Sequence, residues 1–225
     1  MYTPQFYLLT RRNTVSFLVR SALLLMLVAH SSAFASTVLQ VHFSEVVNGA
    51  ELIFEGRVVA VEVRQQPGEM IKTWVRFAIV DVLKGDFAGD EIELSFLGGR
   101  LGDQQLEVSD MVVPQVGETG FYFVETLLET QVNPLFGWDQ GQYLIETEID
   151  GSTMVTTAHH EPVLALEVET PPAVSAQPMN ILENGVADGV TVQSQGIASF
   201  LSEPAEPLNA DEFKSAILSV LAQPQ

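Results

Sequence analysis

Residues 51–64, "ELIFEGRVVAVEVR", begin with Leu52, Phe54, Val58 and Ala60 on one face, then pass the apolar phase to Val59, Val61 and Val63. A strand shows each face at every second residue, so a phase change inside one apolar run, close to Gly56, predicts a long strand that bends or bulges. A bent strand of this length can serve two parts of one small antiparallel barrel. The neighbouring segments read the same way.

"TWVRFAIVDVLKG" (residues 73–85) alternates Val75, Phe77 and Ile79 against Trp74, Arg76 and Ala78, and "EIELSF" (91–96) sets Ile92, Leu94 and Phe96 inward. "GFYFVET" (120–126) is an aromatic strand. "QYLIETEIDGSTMVTT" (142–157) places two alternating runs around Asp150-Gly151, a dipeptide suited to a type I′ hairpin turn. Strands in this number, close together and with almost no helix between them, predict a mainly β fold: an antiparallel, OB-like Greek-key barrel of five to six strands over 44–160. A short helix is expected ahead of it in "FSEVVNGA" (43–50), with Ser44 as N-cap and Asn48-Gly49 as stop.

Both ends of the chain differ in character. Arg11, Arg12 and Arg20 precede the apolar run "SALLLMLVAH", and Ala33-Phe34-Ala35 fits a small-x-small cleavage site, so residues 1–35 read as a Sec-type signal peptide removed after Ala35. The apolar run is too short to span a bilayer, which needs about 20 residues. A periplasmic or secreted protein without stable membrane insertion is expected. Residues 161–206, rich in Pro, Ala, Gly and Gln, read as a flexible linker. Residues 207–223 then read as an amphipathic helix with Asn209 as N-cap and a stripe of Phe213, Ile217, Leu218 and Leu221.

Without residues 1–35 the chain carries 7 Lys and Arg against 29 Asp and Glu, a net charge of −22. Nucleic acid and anionic lipid bind through clustered cations, so neither is an expected partner. The chain has no Cys, which removes disulfides, thiolate nucleophiles and thiolate metal ligands.

"FLGGRLGDQQLEVSD" (96–110) carries Gly98, Gly99 and Gly102 but neither a Lys-Ser/Thr pair nor a following helical pattern, so it reads as a tight irregular loop and not a phosphate cradle. His159-His160-Glu161 is the one cluster of metal-ligating residue types, yet adjacent residues of a strand face opposite ways, and a solvated strand end is the expectation. No G-x-S-x-G elbow accompanies a Ser, His and Asp set. "NPLFGWDQGQY" (133–143) gathers Phe136, Trp138 and Tyr143 around Asp139, a mixture of rings and polar handles suited to binding a protein or sugar, or to plugging one end of the barrel.

"AELIFEGRVVAVE", "RFAIVDVLKGD", "IELSFLGG", "VGETGFYFVE" and "GWDQGQY" together resemble a family of exported bacterial proteins of unknown function. More remotely the chain is similar to the OB fold of netrin modules and tissue inhibitors of metalloproteinases. The resemblance covers about residues 44–160 and its motifs mark strands and turns, so what it implies is a fold. Those inhibitors hold a protease zinc through an N-terminal Cys, and no residue here can take that role. The expectation is an exported, non-enzymatic binding module that needs no cofactor or metal and takes a protein partner in the envelope or outside the cell, with Phe136, Trp138, Asp139 and Tyr143 as its surface. The alternatives are a protease-inhibitor-like domain acting through a loop, and a metal-dependent hydrolase using Asp139, His159, His160 or Glu161.

Overall fold

The structure, a computed structural model, describes residues 39–168, 185–192 and 206–224. The signal segment 1–35 and two parts of the expected linker, 169–184 and 193–205, lie outside the described residues.

Six strands form one antiparallel sheet: β1 (Leu52–Arg64), β2 (Lys72–Lys84), β3 (Glu91–Leu97), β6 (Thr119–Val124), β7 (Gln142–Thr147) and β8 (Thr153–Thr157), in the order β3-β2-β1-β6-β7-β8. These are the six strand segments expected from the sequence, five from alternation and β6 from its aromatic run. β3 and β8 are the two ends of that order, so the pairing leaves the sheet open and not closed into a barrel. Within the sheet β1 is shared unevenly between its neighbours. It pairs with β2 from Ile53 to Arg64 but with β6 only from Leu52 to Arg57. Bulges interrupt the β1–β2 ladder between Ile53 and Phe54, Glu55 and Gly56, and Val58 and Ala60, where the apolar phase changes in the sequence.

Both faces of the sheet centre are buried, which accounts for the unbroken apolar run of β6. On one face Ile53, Phe121, Phe123, Tyr143 and Val155 lie under the helices α1 (Phe43–Gly49) and α2 (Ala210–Leu221). On the other Leu52, Phe54, Val75, Phe77, Tyr122 and Val124 form a second core, bordered by Leu135, Met111 and Val113. The hydroxyls of Tyr122 and Tyr143 meet no hydrogen-bond partner among the described residues, and burial pushes both phenol pKa values up.

Several local expectations are refined. α1 is capped by His42 and not Ser44: His42 Nδ1 accepts the Ser44 N–H, and Glu45 completes the capping box. The β7–β8 hairpin forms, but its loop spans Glu148–Ser152 and Gly151, not Asp150, is the residue with positive φ, so the turn is not type I′. The Asp150 carboxylate accepts from the Ser152 N–H and hydroxyl, which ties the loop from within and holds the carboxyl below its usual range. Gly98 and Gly99 open a small hairpin, β4 (Gly99–Leu101) with β5 (Gln104–Leu106). A Cβ on Gly99 would lie 2.6 Å from Thr73 Oγ1, so this glycine serves close backbone approach.

The stretch expected to be a linker is structured wherever it is described. β9 (Val163–Leu166) pairs with β10 (Val190–Val192), and Ala187 is buried against the helices. α2 docks on the sheet. Asn209 and Glu212 form its capping box, and its buried residues are Phe213, Ile217 and Val220, whereas Leu218 is 46% exposed. Lys214 bonds Asp81 and lies 3.6 Å from Glu55, pinning the helix to β1 and β2. No helix among the described residues is long and apolar enough to cross a membrane.

Candidate functional site

The four residues grouped by sequence separate in space. Tyr143 is 1% exposed and packs its ring on Phe43, Phe123 and Phe213, deep in the helix-side core. Phe136 is half-buried, with its ring over Gly49 of α1. Tyr143 therefore cannot form a surface with Trp138, whereas Phe136, like Trp138, is only partly buried. Trp138 and Asp139 instead open a 3-10 turn, Trp138–Gly141, that leads into β7.

Asp139 is 5% exposed and meets His159, with His159 Nε2 3.0 Å from Asp139 Oδ2. The other carboxylate oxygen accepts the Val112 N–H at 3.3 Å. Burial raises the Asp139 pKa, and the charge of Asp110 adds to the effect; the Val112 N–H and His159 oppose it. An ionised Asp139 can only accept, so opposite it Nε2 carries a proton and Nδ1 is the ring nitrogen outside that bond, on a side chain that is 42% exposed. Gly185, with φ +66, closes on the same pair: a Cβ there would collide with the His159 ring.

Backbone strain concentrates at this place. The non-glycine residues with positive φ among those described are Asp110, Trp138 and His160, at 58, 63 and 62°. Trp138 precedes Asp139, His160 follows His159, and Asp110 lies two residues before Val112. A bulky residue held in the left-handed region costs roughly 1–3 kcal/mol and persists where the surroundings over-determine it. Three segments far apart in sequence carry that strain to one Asp–His pair.

His160 turns away from His159, placing Nδ1 2.6 Å from Glu146 Oε1, an oxygen that also accepts from the Thr156 hydroxyl at 3.0 Å. The two adjacent imidazoles therefore serve different carboxylates, and no group of three or more His, Asp or Glu among the described residues is arranged to hold a metal ion. Thr157 Oγ1 accepts the backbone N–H groups of His159 and Glu161. The pair can orient a ligand by hydrogen bonding or hold a proton at His159 Nδ1.

Asp139 and His159, named together in the hydrolase alternative, lie 20 positions apart in sequence. The hairpin brings their neighbourhoods together, since Tyr143 is opposite Thr157, but the ladder stops there: Trp138–Gly141 is a 3-10 turn and the His160 N–H donates back to the Thr157 carbonyl. Alternation therefore brought the two segments close without giving the contact itself.

Comparison of the chain with known protein families, with curated proteins and with solved structures finds no match.

The Asp139 carboxyl is expected to titrate above the ordinary value of about 3.9 in a 13C-detected pH series. A raised folded pKa means that the stability it contributes is complete below the ordinary value and lost as pH rises through the folded one. Relative to Asp139→Asn, the wild-type chain should therefore lose stability across that window. A difference independent of pH would assign the carboxyl no shift.

Proposed function

We propose that the chain is an exported, non-enzymatic binding module that engages a protein partner in the cell envelope or outside the cell, with the corner formed by Trp138, Asp139 and His159 as its recognition centre. The observation that carries this reading is the convergence of the three positive-φ non-glycine residues among those described on a buried Asp139 and its part-exposed His159, beside a half-buried Trp. A rigid constellation of an indole and an oriented imidazole lowers the ordering cost of binding. The export signal in residues 1–35 and the net charge of −22 without them support a partner outside the cytoplasm that is not nucleic acid. Kinship with OB-like modules belongs to the same proposal, supported by the meander β1-β2-β3 and the long bulged β1.

A second reading has one observation in its favour: a buried carboxylate with a raised pKa that orients a part-exposed imidazole also suits general acid–base chemistry. The test uses residues 36–225 as bait in envelope and culture-fluid extract, alongside Trp138→Ala and His159→Gln. A stoichiometric partner held by the wild-type chain, and at least about tenfold weaker with either variant, supports the module. Repeatable hydrolytic activity abolished by Asp139→Asn, with no partner retained, would replace it with the enzyme.

A further inference from the structure

The connection from β6 to β7 also carries a second feature, upstream of the strained corner. Leu127, Leu128 and Val132 are all exposed, with Leu128 at 88%. Exposed leucines on a loose loop need no explanation, but this loop is built. The Leu127 N–H donates to Glu51 Oε2 at 2.9 Å, and the Leu128 N–H to the Thr126 hydroxyl at 3.2 Å. The loop's two ends are closed by Glu125 N–H to the Pro134 carbonyl at 2.9 Å and Leu97 N–H to the Val132 carbonyl at 2.8 Å. The bond from Leu127 is also the main cause that holds the Glu51 carboxyl below its usual range.

We propose that this loop is a preformed apolar knob through which the module docks, and that its partner is a protein with an apolar pocket rimmed by Lys and Arg. The inference rests on the binding-module reading and names the kind of partner. Two arguments carry it. The Leu127 and Leu128 N–H groups are already bonded and the loop's ends already tied, so inserting the Leu128 side chain removes apolar surface from water with less further ordering of the chain than a loose loop would need. Charge selects the rim: Glu51, Glu125 and Glu129 flank the leucines, residues 125–132 contain no Lys or Arg, and the chain without its signal stands at −22. A pocket edged with acids would be repelled, and a cationic edge is complementary.

The test takes the partner recovered with wild-type bait, identifies and repurifies it, and measures its Kd for Leu128→Asp, Leu127→Asp and the control Ile149→Asp. Ile149 is fully exposed on the β7–β8 loop. Expected are a Kd about 10- to 100-fold weaker for Leu128→Asp, an unchanged Kd for the Ile149 control, and an association rate that falls with added salt. The thermal midpoints of all three variants should match the wild type, because each site is exposed. A partner that binds Leu128→Asp as tightly as wild type overturns the knob and leaves the module standing. Binding insensitive to salt overturns the cationic rim. The absence of any partner overturns both the knob and the module.

Discussion

Phe213→Ala is expected to lower the unfolding free energy by about 3–5 kcal/mol, because it removes a fully buried aromatic ring from the middle of the helix-side core. The ring stacks on Phe121 with centroids 5.1 Å apart, lies 4.7 Å from Tyr143 and meets Phe43 edge-on at 5.8 Å. Single domains are stable by about 5–15 kcal/mol, so the loss is a large share of the whole. In urea the midpoint should fall steeply with an unchanged slope, whereas Leu218→Ser on the same helix should shift it little. A tail hung on a tether would behave differently: Phe213→Ala would then leave the midpoint of the sheet where it was. The pinning of Lys214 by Asp81 and Glu55 also argues for one cooperative unit, and both partners of that pair carry the mark of it, the Asp81 carboxyl being lowered and the Lys214 ammonium raised chiefly by their mutual hydrogen bond.

Alternation was enough to find five of the six strands of the sheet, because each of them keeps a pattern of period two in its residues, and β6 was legible instead as an aromatic run. The phase change in residues 51–64 located the bulged strand for the same reason. What alternation could not supply was the second buried face. "GFYFV" shows no polar side because Phe121 and Phe123 meet the helices while Tyr122 and Val124 meet the other core. That two-sided burial draws in residues 163–168 and 185–192, whose short pieces, β9 and β10, are too brief to show a period. Leu218 was placed in the apolar stripe of α2 and Val220 left out, since a helix of 12 residues fixes its buried face only through the surface it lands on. The strained corner was hidden more deeply. Positive φ at Trp138 has no signature in residue type, because bulky side chains ordinarily avoid that region, and at His160 the signature is weak, since His is only enriched there.

Gly120→Ala should be nearly as damaging as the loss of Phe213, by a different route. A Cβ on Gly120 would fall on the Tyr143 carbonyl oxygen and lie 3.1 Å from Leu144 Cα, and both obstacles are backbone. Rotamer changes cannot relieve them, so β7 must move away from β6 at the Gly120–Leu144 pair. About 3 kcal/mol or more is expected, at the upper end of overpacking. Gly151→Ala offers the contrast, since nothing lies near its Cβ and only its φ of +89° is strained, a cost of about 1–2 kcal/mol. The consequence reaches the site, because β7 continues directly from the Trp138–Gly141 turn and three ladder pairs, Gly120–Leu144, Phe121–Tyr143 and Tyr122–Gln142, hold that end of β7 to β6. In whatever fraction of Gly120→Ala stays folded, the imidazole resonances of His159 should shift and the raised titration of Asp139 should fall towards the ordinary range as its burial is lost. Phe213→Ala opens its cavity among Phe43, Phe121 and Tyr143, away from the Asp139–His159 contact itself, and should leave both unchanged in its folded fraction. If Gly120→Ala instead preserves the Asp139 titration, the corner is held by Val112 and Gly185 alone, and the β6–β7 joint plays no part in positioning it.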